Sequence, residues 1–446
     1  MKKTKLLLFI LILNTVSGTA LMAGETEGIL SEGKVYSLPD LYRIALRQSE
    51  KIRIYRESLF IAERNREKAD SVLKPTFSAF GEFTKYSEKK DYDGIVAQAD
   101  RTGTWGFRLS QSFNLKGREF LALKVAEQDI EKNRHDLHAI KEDYLFSVAS
   151  GYYDVLKLMK AVEIAEANAE RLKKHREAVS IRLKLEEVTK TALYRTEAEL
   201  SQAAAELISS KNSLKLAEAV LASVAGLPRV YQIRGPGVKK SFFFKKNMDA
   251  LKKEALDNRA ELSALRLQDK MAGDGVEIAK SEFWPTFVAE GVYLKMDQAP
   301  SSPYKDSLSA VIRFDLPLYD WGLRQADIEA SLSRKRQAKL AVDALSKQIS
   351  VEIEQVYLEL MTHQGIMKSL TDQLEYARQN YNAVSKQFKY GLADSVEVMD
   401  ANTLLLTSQK QISDSRYSFQ LAMLKLKRMK GIFLKEILES IGGDAE

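Results

Sequence analysis

Glu397 and Asp400 stand three residues apart, a spacing that puts two carboxylates on one face of a helix. Such a pair can attract a cation, repel an anion, or simply face water. His135 and His138 share that spacing, and imidazoles so placed can bind a metal together. No third ligand accompanies them, and Asn133, Arg134 and Asp136 read as a solvated face, so no metal site is expected. Lys190-Thr191 and Arg234-Gly235-Pro236-Gly237 lack the spacing of a phosphate-binding loop. No Ser/His/Asp order and no carboxylate pair falls on a scaffold suited to catalysis. Neither an enzyme nor a cofactor is expected.

The composition points to long helices. The 446 residues include only 22 Gly and 8 Pro, too few for the turns of a sandwich or ordinary barrel. Hydrophobic residues at 45% and charged residues at 29% argue against disorder. The absence of cysteine excludes disulfides, thiolate metal sites, a cysteine nucleophile and a lipidated N-terminal cysteine. The formal charge of +7 includes Lys2, Lys3 and Lys5. Acids and bases are interleaved along the chain, so no nucleic-acid partner is expected.

Residues 1–23 have the three-part layout of a secretory signal peptide: a lysine-rich start, the apolar run Leu6–Leu13, then small residues. Cleavage is expected after Ala20 or Ala23. The apolar run is far shorter than the ~20 residues of a spanning helix.

The rest reads as a tandem repeat, 24–230 and 231–446. Ala45–Ile52 aligns with Ala255–Leu262, and Lys74-Pro75-Thr76-Phe77 with Trp284-Pro285-Thr286-Phe287. Each half reads helix, proline, strand, turn, strand, long helix, break, helix. Pro300 and Pro303, with Ser301 and Ser302, mark a turn, and Pro228, Pro236 and Gly237 mark the linker between halves. The long helices are expected from near Lys116 to near Leu185 and from near Tyr319 to near Tyr390. At about 70 residues each they would span roughly 105 Å. Val148, Tyr152, Val155, Met159 and Val162 form one heptad seam, interrupted at Glu166. Leu370, Leu374, Ala377, Tyr381, Val384 and Phe388 form another. The return helices, about 38 residues, and the opening helices, about 35, would stack to the height of one long helix.

Between the helices lie alternating strands. Trp105, Phe107, Leu109 and Phe113 share a face opposite Gly106, Arg108, Ser110 and Ser112. Leu308, Ala310, Ile312, Phe314 and Leu316 share one opposite Ser309, Val311, Arg313 and Asp315. The partner strands, Thr76–Tyr86 and Thr286–Met296, alternate less cleanly. A length of about 9–11 residues suits a tilted membrane strand. A ribbon packed on a soluble core would alternate in the same way. Four strands cannot close a barrel, and open edges in lipid leave backbone groups unsatisfied. Membrane strands here would need several chains in one barrel.

These pieces together resemble the TolC-type outer-membrane efflux channels. Ala255-Leu256-Asp257-Asn258-Arg259-Ala260-Glu261-Leu262 is similar to the family's opening, with Ala260 where proline is usual. Trp284–Phe287 resembles its helix-to-strand junction, and Leu316-Pro317-Leu318-Tyr319-Asp320-Trp321-Gly322-Leu323-Arg324 its strand-to-helix signature. Gly391-Leu392-Ala393-Asp394, with Glu397-Val398-Met399-Asp400-Ala401, resembles its hairpin, Phe388 standing where that pattern has tyrosine. The first hairpin has Glu186 where Gly391 stands in the second. The first strand-to-helix junction, Phe113–Arg118, reads as shorter and lacks the proline.

The resemblance implies a mainly α fold with a small β part: a duplicated coiled-coil barrel of long helices, plus four membrane strands per chain in a barrel completed by a homotrimer. It implies an outer-membrane location extending into the periplasm, with outer-membrane lipid around the strands. The expected function is passive export of solutes delivered by an inner-membrane pump and a periplasmic adaptor. Trp105, Phe107, Leu109, Ile312 and Phe314 would face lipid. Glu397 and Asp400 would ring the periplasmic entrance. Gly391, Leu392 and Ala393, with Glu186, Glu187 and Val188, would meet the adaptor at the hairpin tips, Leu392 and Ala393 being exposed there. The alternative is a periplasmic coiled-coil scaffold with the strands as dimerisation ribbons.

Overall fold

Two helices of 67 residues each dominate the computed structural model, which describes residues 35–92, 95–228, 230–235, 244, 247–297 and 305–442. The expected signal segment, the linker residues Pro236 and Gly237, and the turn at 300–303 lie outside the described residues. The first half contains β1 (Val35–Tyr36), α1 (Leu38–Gln48), α2 (Glu50–Val72), β2 (Thr76–Lys85), β3 (Lys90–Tyr92), β4 (Ile95–Gln98), β5 (Arg101–Asn114), α3 (Arg118–Lys184) and α4 (Lys190–Ala225). The second contains β6 (Gln232–Ile233), α5 (Met248–Asn258), α6 (Ala260–Ser281), β7 (Thr286–Met296), β8 (Asp306–Asp315), α7 (Leu323–Lys389), α8 (Ser395–Met429) and α9 (Phe433–Ile441).

The long helices fall where the proline-free stretches and heptads put them. Both begin at a glycine in the left-handed region, Gly117 and Gly322. Each opening helix, expected as one piece, is two. The break falls at Ser49 and at the aligned Arg259, both extended with ψ near 120°. Ser49 ends α1 and starts α2, its hydroxyl accepting from the Ile52 N–H at 3.3 Å. In the second half the buried Arg259 guanidinium binds Glu261 and reaches Glu352 on α7. Neither break carries a proline or glycine.

Burial revises the first seam. Val148, Tyr152 and Val155 are buried, but Met159 is exposed, and burial resumes at Ile164, Asn168, Leu172, His175 and Val179. The seam shifts by a fraction of a turn because α3 packs along α4 and also along α8. In the second seam Ala377 and Phe388 are buried and the other members half-buried.

The main core lies where α1, the start of α2, α4 and α9 meet α3, around Leu41, Ile52, Tyr152, Leu221 and Phe433. A second gathers Leu251, Leu262, Ile349, Ile353 and Leu360 between α5, α6 and α7. A third, small one, Val179, Phe388 and Val398, lies at the hairpin tips. Arg428 on α8 ties the halves together, reaching Asp143 on α3 and Glu261 on α6.

The four long strands form one antiparallel sheet in the order β2-β5-β7-β8, leaving β2 and β8 as edges. Within the halves, Thr76 faces Ser110 and Thr286 faces Asp315. Ser110 is as far from Gly117 in sequence as Asp315 is from Gly322. Three residues, 115–117, join β5 to α3, whereas seven, 316–322, join β8 to α7, so the first junction is the shorter, as expected. β5 keeps pairing with β7 down to Asn114, and that hides part of its junction inside the sheet.

Candidate functional site

The strand registers sort the side chains onto two faces. Phe107 lies between Ala79 and Tyr293, and Ala289 faces Ile312. Trp105, Phe107, Leu109, Ile312 and Phe314 therefore share one face with Phe77, Phe83, Phe113, Phe287 and Leu308. Aromatic rings meet across it: Phe113 stacks on Phe287 at 5.4 Å, and Phe77 on Phe107 at 5.7 Å. The other face carries Arg108, Glu290, Arg313 and Glu82. There Arg108 pairs with Glu290 at 2.7 Å and lies over the Phe80 ring. One face suits hydrocarbon and the other water. No described helix is long and apolar enough to cross a membrane.

At the far end of the long helices the two hairpins turn on one pattern. Glu186 and Gly391 both adopt positive φ. Glu187 N–H donates to Arg182 O and Leu392 N–H to Gln387 O, each at 2.9 Å. Leu392, Glu186 and Glu187 are exposed. Ala393, expected to be exposed, is half-buried, as is Val188, and both pack against Val179, Phe388 and Val398. That small core holds the two tips together and draws both side chains inward.

Glu397 and Asp400 are exposed in the first turns of α8. Glu397 has a local task as well: its carboxylate accepts the Asp394 N–H at 3.1 Å, while Asp394 accepts from Val396 and Glu397. This is a capping box, signalled in the sequence by Asp394 three residues before Glu397.

Sequence reading missed the contacts that join the tips. Arg182 on α3 donates to Phe388 O at 2.8 Å, pairs with Glu187 at 2.7 Å and lies over the Phe388 ring. Buried His175 shares a 2.8 Å hydrogen bond with Ser395, and burial holds its pKa below the usual imidazole range. Asn402 bridges Asn168 and Arg171. Apart from Arg182 and Glu187, these partners stand more than two hundred residues apart, and no local signal couples them. His135 and His138 acquire no further ligand: among the described residues no group of three metal-ligating side chains forms.

The two-faced sheet on long hairpins has the architecture of an outer-membrane channel protomer. The family described as outer membrane efflux protein matches residues 251–431. BepC of Brucella suis, an outer membrane efflux protein, is 22% identical over 335 residues, 74% of this chain and 72% of that one. TolC of Escherichia coli, an outer membrane protein, is 19% identical over 421 residues, 91% and 84% of the two chains. Among solved structures, VceC of Vibrio cholerae aligns with a TM-score of 0.79 at 19% identity, over 88% of this chain and 96% of its own. The CmeC outer membrane channel of Campylobacter jejuni aligns at 0.79 and 13%, over 91% and 89%. Residues 251–431 thus match the outer membrane efflux protein family, and the fold over about nine-tenths of the chain is that of the TolC-type outer-membrane channels.

Proposed function

We propose that this chain is the outer-membrane conduit of a tripartite export system, a homotrimer fed by an inner-membrane pump through a periplasmic adaptor and with no catalytic activity of its own. The observation that carries the reading is the sheet. It has an aromatic face, a charged face and two unpaired edges, and an isolated copy in lipid would leave those edges unsatisfied. Three copies give twelve strands, and the long hairpins continue the passage into the periplasm. Glu397 and Asp400 ring the entrance in this reading, supported by their exposure beside the tips. Leu392, Glu186 and Glu187 meet the adaptor directly, with Gly391 shaping the turn and Ala393 and Val188 backing it. Residues 1–23 direct export and are removed.

Extraction and conductance test this. The mature protein should leave membranes only with detergent, run as a trimer and form ion-conducting pores in a planar bilayer. Release by osmotic shock, with no pores, would establish the scaffold instead.

A further inference from the structure

The internal repeat contains a template for the seam between copies. Inside one chain the first half meets the second along β5 with β7 and α3 with α6. In a ring, the second half of one copy meets the first half of the next along β8 with β2 and α7 with α2. The hairpin registers and helix starts fix the correspondence. Ser110 and Gly117 match Asp315 and Gly322, as Thr286 matches Thr76.

In the sheet, Arg108 faces Val292 and Phe107 faces Tyr293. The matching positions put Arg313 opposite Glu82 of the next copy, and Ile312 opposite its Phe83. Phe113 opposite Phe287 becomes Leu318 opposite Phe77. Leu318 and Phe77 are 86% and 69% exposed in the single copy, as an unfilled seam requires. Pro317 fits this pairing. It corresponds to Ser112, whose N–H points away from β7, because the ladder on that side is set by Leu115 N–H donating to Pro285 O at 3.0 Å.

In the helices, Lys124 on α3 pairs with Asp274 on α6 at 2.8 Å. The matching residues are Glu329 on α7 and Arg64 on α2, the same pair with its sign reversed. Lys116 lies over the Trp284 ring at 5.7 Å. The matching residues are Trp321 and Lys74, again exchanged.

We propose that the seam between copies is set in register by pairs of its own: Arg313 with Glu82, Glu329 with Arg64, and Trp321 with Lys74 of the next copy. This rests on the reading that copies share one barrel, and it specifies how they meet. The reversal also separates the two kinds of seam. An α7 laid on α6 in place of α3 would set Glu329 against Asp274, and an α3 laid on α2 would set Lys124 against Arg64. Like charges disfavour both mistakes, so halves alternate around the ring.

Cysteine pairs test the register in a chain that has no cysteine of its own. Val311 falls opposite Thr84 of the next copy, a close pair without ladder hydrogen bonds. V311C/T84C should oxidise to a covalent trimer on a non-reducing gel, and V311C/Y86C, two residues out of register, should not. R64E and E329R alone should each raise the monomer fraction several-fold in mild SDS, and R64E/E329R should restore the trimer. A trimer that cross-links through the shifted pair, or not at all, overturns the register and leaves the shared barrel standing. So does a double reversal no better than either single. A wild-type protein that is monomeric in detergent overturns both.

Discussion

Glu186 and Gly391 hold the same left-handed backbone, φ 59° and 76°, each two residues past the end of a 67-residue helix. Glycine adopts it freely, whereas a residue with a Cβ loses about 1–2 kcal/mol there. The first tip is therefore strained where the second is relaxed. Glu186→Gly should slow hydrogen exchange at Leu185–Val188, with opening less favourable by about 1 kcal/mol. Gly391→Pro cannot reach a positive φ. It should leave the trimer assembled and abolish export with the pump.

The two faces of β5 predict opposite responses to charge. Phe107 lies on the aromatic face, and Arg108 on the face where it pairs with Glu290. An arginine at a lipid-facing midplane position costs about 2–4 kcal/mol. Phe107→Arg should reduce the heat-resistant trimer in outer-membrane fractions far more than Arg108→Phe. Equal yields from both would reverse or erase the assignment of faces.

Glu397 and Asp400 predict the ion preference of the pore. Alanine at 397 would also remove the acceptor of the Asp394 N–H, so the informative variant is E397Q/D400N. It should keep the helix cap, shift reversal potentials toward weaker cation preference and relieve block by multivalent cations from the periplasmic side. Unchanged selectivity and block would return both residues to the role of solvated helix surface.

Glu142 predicts a pH dependence far from the entrance. It is buried on α3 and accepts the Leu434 N–H at 3.0 Å, and burial raises its pKa to about 7. A carboxyl raised in the folded state binds its proton there while the unfolded chain has already released its own. Stability therefore falls as pH rises from the ordinary carboxyl range to about 7. Glu142→Gln should remove this slope and stabilise the protein at pH 8 by roughly 1–3 kcal/mol, measured as urea midpoints at pH 5 and pH 8.

The long helices, the reversal at Gly391 and the strand alternation were legible because each rests on local physics: proline-free runs, a glycine free to take positive φ and period-two patterning. The breaks at Ser49 and Arg259 were not, because ordinary residues make them and distant contacts hold them. Ser49 caps α2 with its own hydroxyl, and Arg259 is fixed by Glu352 almost a hundred residues away. Helix α9 was hidden for a similar reason. Its start is capped from outside by Glu142, and Gly431 supplies the turn before it. At the tips, the reversal at Gly391 was legible, and spacing put Glu397 and Asp400 on one helix face. The inward turn of Val188 depends on Phe388 and Val398 of the other hairpin, and that of Ala393 on the cluster they form with Val179, which no local pattern announces.

The open edges of β2 and β8 also govern how a faulty gene copy acts. If sister chains alone fill those edges, as proposed, each ring is as sound as its worst member. In a cell making intact and β8-defective chains equally, random mixing leaves about one three-membered ring in eight free of the defect. A lesion on an edge strand therefore behaves as dominant, whereas loss of one gene copy outright removes chains without spoiling the rings that remain.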